Sequence, residues 1–282
     1  MGDPDSKTVG TAVRAFARSG DAESALERCA RGWRSWLASG DMDDGMVAAA
    51  AALEAPRAQT VEPWYARVLY ADGLFAFRAG DVKRSHARNV ELLRVARETG
   101  DVRGECDGLT GMARIALREG RYEDVVSLAR EGLERARAAR DAAAEDGPRH
   151  LEAVGVRMLG DYRRARELYL ESLAAAQSAG NVDRVATEEH NLGWVDLHLG
   201  DVESAEARFR RRDGSGVDNA YLEAWRDLSW AAVACLRKDW TEARRRFEVG
   251  TKALEALQAA PDPDDALELE WLSTRLDEDP AF

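Results

Sequence analysis

The sequence predicts an all-α fold, a solenoid of stacked helical hairpins. Ala, Leu, Glu and Arg dominate while the β-branched Ile occurs once, which makes helix the favoured local state. Glycine recurs at a fixed interval, at Gly80, Gly120, Gly160 and Gly200, and Lys238 takes the same column in a fifth copy. Between these marks the apolar residues follow helical spacing. A single short helix pair cannot bury its own stripe, so neighbouring pairs must stack.

The elements follow in chain order. Residues 1–60 read as irregular N-terminal helices: residues 12–18 with Gly20-Asp21, Ala25 and Leu26 resemble one more unit, and Met42–Leu53 is a further helix before a loop over 54–60. Residues 41–60 break the parity of helix pairs, so this region can stack differently from the rest. Residues 61–260 form the repeats. Two positions past the Gly column stand Val82, Tyr122, Tyr162, Val202 and Trp240; five past it stand Ser85, Val125, Ala165, Ala205 and Ala243. Seven before it are Gly73, Ala113, Ala153, Gly193 and Ala231, small residues of the kind that close helix crossings need. A second turn at Gly100, Arg140 and Gly180 separates successive units, and Asp201 is placed to cap the helix after Gly200. Pro148 either loosens the packing near 140–160 or marks a helix start. Residues 212–218 read as an interior loop. Residues 261–282 read as an acidic C-terminal capping helix or tail, with Leu267, Trp271, Leu272 and Leu276 on one stripe and the carboxylates in solvent.

Charge and motifs exclude several functions. The net charge of −12 disfavours general nucleic-acid binding. Residues 261–282 hold eight Asp or Glu and one Arg, a net of −7, which leaves −5 for the preceding residues and room for a basic groove. No apolar run is long enough for a membrane span, and the opening MGDPDSK lacks the features of an export signal, so the cytoplasm is the expected address. Three isolated Cys form neither a disulfide framework nor a metal pair. A phosphate loop, an HExxH motif and a nucleophile elbow are all missing, so no catalytic residue and no cofactor is expected. An acid–base site using His190 or His198 with Asp196 or Asp107 stays open as the enzyme alternative.

The repeated pattern of a small residue, then a Gly-Asp turn, then Ala resembles the tetratricopeptide repeat over about residues 61–255. The roughly 40-residue spacing is similar to the variant found in bacterial signalling and transcription-regulatory proteins. The resemblance implies a right-handed solenoid whose first helix of each pair lines a concave face. Carried onto this chain, that face includes Arg67, Tyr70, Phe77, Arg78, Asp107, Thr110, Arg114, Arg118, His150, Arg157, His190, Trp194 and His198. It is more basic than the chain as a whole, although Asp72 and Asp196 on the same helices can pair with some of its arginines. Such a groove suits an acidic peptide or protein partner, or a small anionic ligand sensed for regulation. His190, Trp194 and His198 share one helical face, but His190 and His198 stand about 12 Å apart along the axis, too far for one metal, and Glu188 is expected to point elsewhere. Exposed solenoid ends with Trp33, Trp36 and Trp271 leave room for a homodimer.

Overall fold

The computed structural model describes residues 5–217, 219–257 and 261–279. They form fourteen α-helices and one 3-10 turn, with no strand among the described residues. The fold is a TPR-like array of helical hairpins, divided into two compact units, Met1–Pro148 and Arg149–Phe282.

In unit 1, α1 (Ser6–Ser19), α2 (Ala22–Ser39) and α3 (Met42–Leu53) pack mutually, and α2 and α3 also pack on α4 (Trp64–Arg78). Asp44 ties the three N-terminal helices together: Trp36 Nε1 donates to it at 3.0 Å and Arg14 Nη1 at 2.6 Å. The hairpins α4–α5 (Val82–Thr99) and α6 (Val102–Arg118)–α7 (Tyr122–Ala139) follow. Unit 2 begins within α8 (Asp146–Met158) and continues through α9 (Tyr162–Ser178), α10 (Val182–His198), α11 (Val202–Asp213), α12 (Ala220–Leu236) and α13 (Trp240–Ala256) to α14 (Pro263–Leu276), which packs on α12 and α13.

The repeated columns explain this regularity. Each second helix starts two residues after the turn column. At four of the five an Asp between them accepts from the backbone N–H three residues on, Asp81 from Arg84 at 3.0 Å and Asp201 from Ser204 at 3.1 Å, while Arg121 before α7 makes no such cap. Gly193 lies where an added Cβ would run into the Phe209 ring, so the small column is a packing requirement. Ser85, Val125, Ala165, Ala205 and Ala243 are all buried. All three cysteines are free and buried. Among the described residues, no helix is long and apolar enough to cross a membrane.

Where the turn column lacks glycine the backbone keeps the same geometry. Arg140 and Lys238 adopt left-handed φ of 57° and 62°, beside 79° at Gly80 and Gly200. That conformation strains a residue with a Cβ. Glycine relieves the strain but adds freedom to the unfolded chain, so Lys238→Gly is expected to stabilise the protein by only about 0.5 kcal/mol. A chemical-denaturation midpoint that falls instead would show that the Lys238 side chain matters more than its backbone.

Three sequence expectations need correction. Helix α8 starts at Asp146, two residues before Pro148, whose missing N–H is harmless in the first turn. Its ring packs where Gly132 has no Cβ. The loop expected over 212–218 begins later, because α11 runs to Asp213. Arg212 holds that last turn through buried bonds to Ser229 and His190. Leu267 is 37% exposed and lies off the buried stripe of α14, which runs instead through Asp264, Glu268, Leu272 and Leu276.

Candidate functional site: the inner helix faces

In unit 1 the inner-row residues come from α4 and α6. Arg67 approaches Asp107 at 3.7 Å, and the Arg118 guanidinium lies 4.3 Å from the centre of the Phe77 ring. Burial raises the Asp107 carboxyl to about 6, against the pull of Arg67, Arg103 and Arg114. Tyr70 meets Trp33 edge-on at 5.8 Å. Thr110 is buried and spends its hydroxyl on the Cys106 carbonyl at 2.8 Å, so its side chain is not free to recognise a ligand. Arg78 is half-buried and already engaged. Arg114 and Arg118 differ. Both are half-buried, the Arg118 Nε and Nη2 donors have no hydrogen-bond partner, and Arg114 forms no hydrogen bond or ion pair among the described residues. Asp72 does not quench this row. Its fully buried carboxylate takes Arg84 at 2.7 Å and Arg88 at 2.6 Å, both from α5. Asp196 in unit 2 likewise faces second-helix arginines, Arg166 at 2.7 Å and Arg208 at 3.7 Å.

In unit 2 the same columns are buried and internally paired. Arg157 is 1% exposed. It donates to Glu268 at 2.5 Å, to Asn191 at 3.2 Å and to Asp264 at 3.5 Å. His198 Nε2 lies 2.7 Å from Glu268 Oε2, and the ring stacks on Tyr162 at 4.4 Å. His190 is buried against the edges of Trp194 and Trp225. Arg212 Nη1 lies 2.9 Å from His190 Nδ1, and Arg can only donate, so the ring proton belongs on Nε2, which faces Asp265 Oδ1 at 3.5 Å. Burial, with Arg212 and Arg157 close by, holds this imidazole well below the usual histidine range and therefore neutral. Tyr221 donates to Asp265 at 2.7 Å. The acidic residues expected in solvent, Asp264, Asp265 and Glu268, are therefore buried on this face.

Glu188 also departs from expectation. It is fully buried and bonds His150 Nδ1 at 3.0 Å and the Ser172 hydroxyl at 2.7 Å. Burial opposes the carboxylate, yet His150 and its hydrogen bond hold it below the usual range. Ser172 donates to the carboxylate rather than to the imidazole, so the trio lacks the hydroxyl–imidazole contact that would activate a nucleophile. Among the described residues no group of three or more His, Cys, Asp or Glu is placed to hold a metal ion. Sequence reasoning missed Tyr221, Asp264, Asp265 and Glu268. The signal was available in the four-residue step through 264, 268, 272 and 276, which places two carboxylates in line with two leucines.

No protein-family model matches the chain, and no curated protein does. Solved structures do share its fold. The apo form of RapI superposes with a TM-score of 0.63 at 9% identity, over 89% of this chain and 98% of that one. A Rap protein complexed with competence and sporulation factor gives 0.63 at 12% identity, over 94% of this chain and 79% of that one. The Rap conjugation gene regulator of plasmid pLS20 in complex with the Phr* peptide gives 0.55 at 13% identity, over 91% and 77%.

Proposed function

We propose that the chain is a non-catalytic, peptide- or protein-binding regulatory scaffold that reads an acidic or carboxylate-terminated segment on the inner face of unit 1. The observation that carries this reading is Arg118, whose guanidinium lies over the Phe77 ring with two buried donors lacking a hydrogen-bond partner, and Arg114 one turn earlier on the same helix. Half-buried donors without partners are costly unless a ligand or water completes them, and arginine forks match carboxylates. One of the solved structures with this fold is a complex with the Phr* peptide and another a complex with competence and sporulation factor, which favours a peptide over a small anion. A sensor for a small anionic ligand is the second reading, since the same two guanidinium groups suit it.

The test uses an array of short peptides varied in acidic content and in free against amidated C-termini. Wild type is expected to retain acidic, free-carboxyl peptides. Arg114→Ala should weaken them about tenfold, the worth of one charge-assisted hydrogen bond, with an unchanged thermal melt. Equal binding by the variant, or loss of binding only together with loss of fold, would remove unit 1 as the recognition face.

A further inference from the structure

The buried face of α14 is chemically odd for a helix that merely covers a core. Of its five buried side chains, three are the carboxylates of Asp264, Asp265 and Glu268; only Leu272 and Leu276 are apolar. Leu267 is left outside. The receiving surface is equally specific. Arg157 from α8, His198 from α10 and Tyr221 from α12 each bond one of those carboxylates, and the neutral His190 from α10 faces Asp265 at 3.5 Å without a hydrogen bond. Arg157, His190 and His198 stand at the columns that the tetratricopeptide resemblance assigns to the ligand face. Tyr221 also takes the Asp262 backbone N–H at 3.1 Å, fixing where the helix begins.

We propose that α14 is a resident pseudo-ligand: the surface formed by Arg157, His190, His198 and Tyr221 is a recognition site for an acidic amphipathic helix, which α14 occupies and a partner segment of like pattern displaces. The partner carries carboxylates at positions i, i+1 and i+4 and apolar residues at i+8 and i+12, as α14 does at 264, 265, 268, 272 and 276. Physical reasoning supports exchange. A buried ion pair repays its desolvation poorly in stability but discriminates sharply among occupants. An acidic helix arriving from outside meets the same desolvation penalty and the same donors, so swapping one for the other is nearly balanced at the contacts. What α14 holds in addition is its tether, equivalent to an effective concentration on the order of millimolar. A partner must overcome that advantage, and the site is thereby closed to weak binders. The inference does not rest on unit 1 binding anything.

The experiment uses the full chain with Arg114→Ala as background, so that the face of unit 1 contributes little. The probe is a fluorescein-labelled synthetic peptide of residues 261–279, followed by anisotropy. D264N, D265N and E268Q together loosen the resident helix. The loosened protein is expected to bind the probe at least tenfold more tightly than the background does, and a probe bearing the same three substitutions should bind neither. Hydrogen exchange on the unaltered chain supplies a second reading that needs no variant. Amides of α14 are expected to exchange through a local opening while those of α10 and α12 stay protected. Equal probe affinity in the two proteins with helicity retained, or exchange of α14 only with global unfolding, overturns the proposal.

Discussion

Replacing Arg157 with alanine is expected to destabilise unit 2 by about 3–5 kcal/mol, the usual result of removing one partner from a buried ion pair. The side chain is fully buried and touches Glu268, Asp264 and Asn191, so its loss strands one carboxylate at 0% exposure and another close to it. His198 alone remains on Glu268. Chemical denaturation would show the effect as a lowered midpoint. The companion variant decides its origin. Arg157→Met with Glu268→Met removes both charges at similar volume, and such swaps are often neutral or stabilising. The double variant is therefore expected to recover most of the loss. If both variants are equally destabilised, the deficit comes from packing around Arg157 and not from an orphaned charge.

Stability should also rise as pH falls from 7.5 to 6.5. Burial raises Asp265 to about 7 and Asp264 to about 6, from ordinary values near 3.8. Asp262 and the mutual repulsion of the two carboxylates add to the rise, while Arg157 opposes it. For a carboxyl raised in the folded state, the native protein binds the proton before the unfolded chain does, so unfolding becomes harder as pH drops through the folded value. The two sites are coupled, and the gain expected is on the order of 1 kcal/mol. Asp107 and Asp196 are raised as well and push in the same direction, whereas His190, held neutral in the fold, takes up a proton in the unfolded chain below about pH 6.5 and costs stability there. The trend must reverse at lower pH. Glu268 and Glu188 are lowered below 4.5 by Arg157, His198 and His150, and their contribution disappears once they protonate. Thermal melts across this range test the sign: a melting temperature that climbs from pH 6.5 to 7.5 would contradict the burial of Asp264 and Asp265.

The fold was legible because its grammar is local. A left-handed turn residue, a capping Asp and a small crossing residue each act within a few positions, and each leaves a mark at a fixed interval. Even Arg140 and Lys238, which break the glycine pattern, were placed correctly by column and carry the backbone angle the column requires. The site was less legible because its chemistry is nonlocal. Arg157 meets Glu268 across 111 residues and His190 meets Arg212 across 22. Nothing near Glu188 in sequence announces that His150, 38 residues earlier, would draw it inside. The acidic terminus was read as solvated because isolated carboxylates are usually exposed. That rule gives way where cations wait at matching spacing.

The aromatic groups beneath α14 have an optical consequence. Trp271 stands edge-on to Trp194 at 6.1 Å, Trp194 to Trp225 at 5.9 Å, and His190 borders both. Indoles held this closely at near-right angles couple their transitions, and that coupling depends on Trp271 staying where α14 puts it. The protein thus carries its own chromophore at the seat of its last helix, and near-ultraviolet circular dichroism can follow that helix without any label.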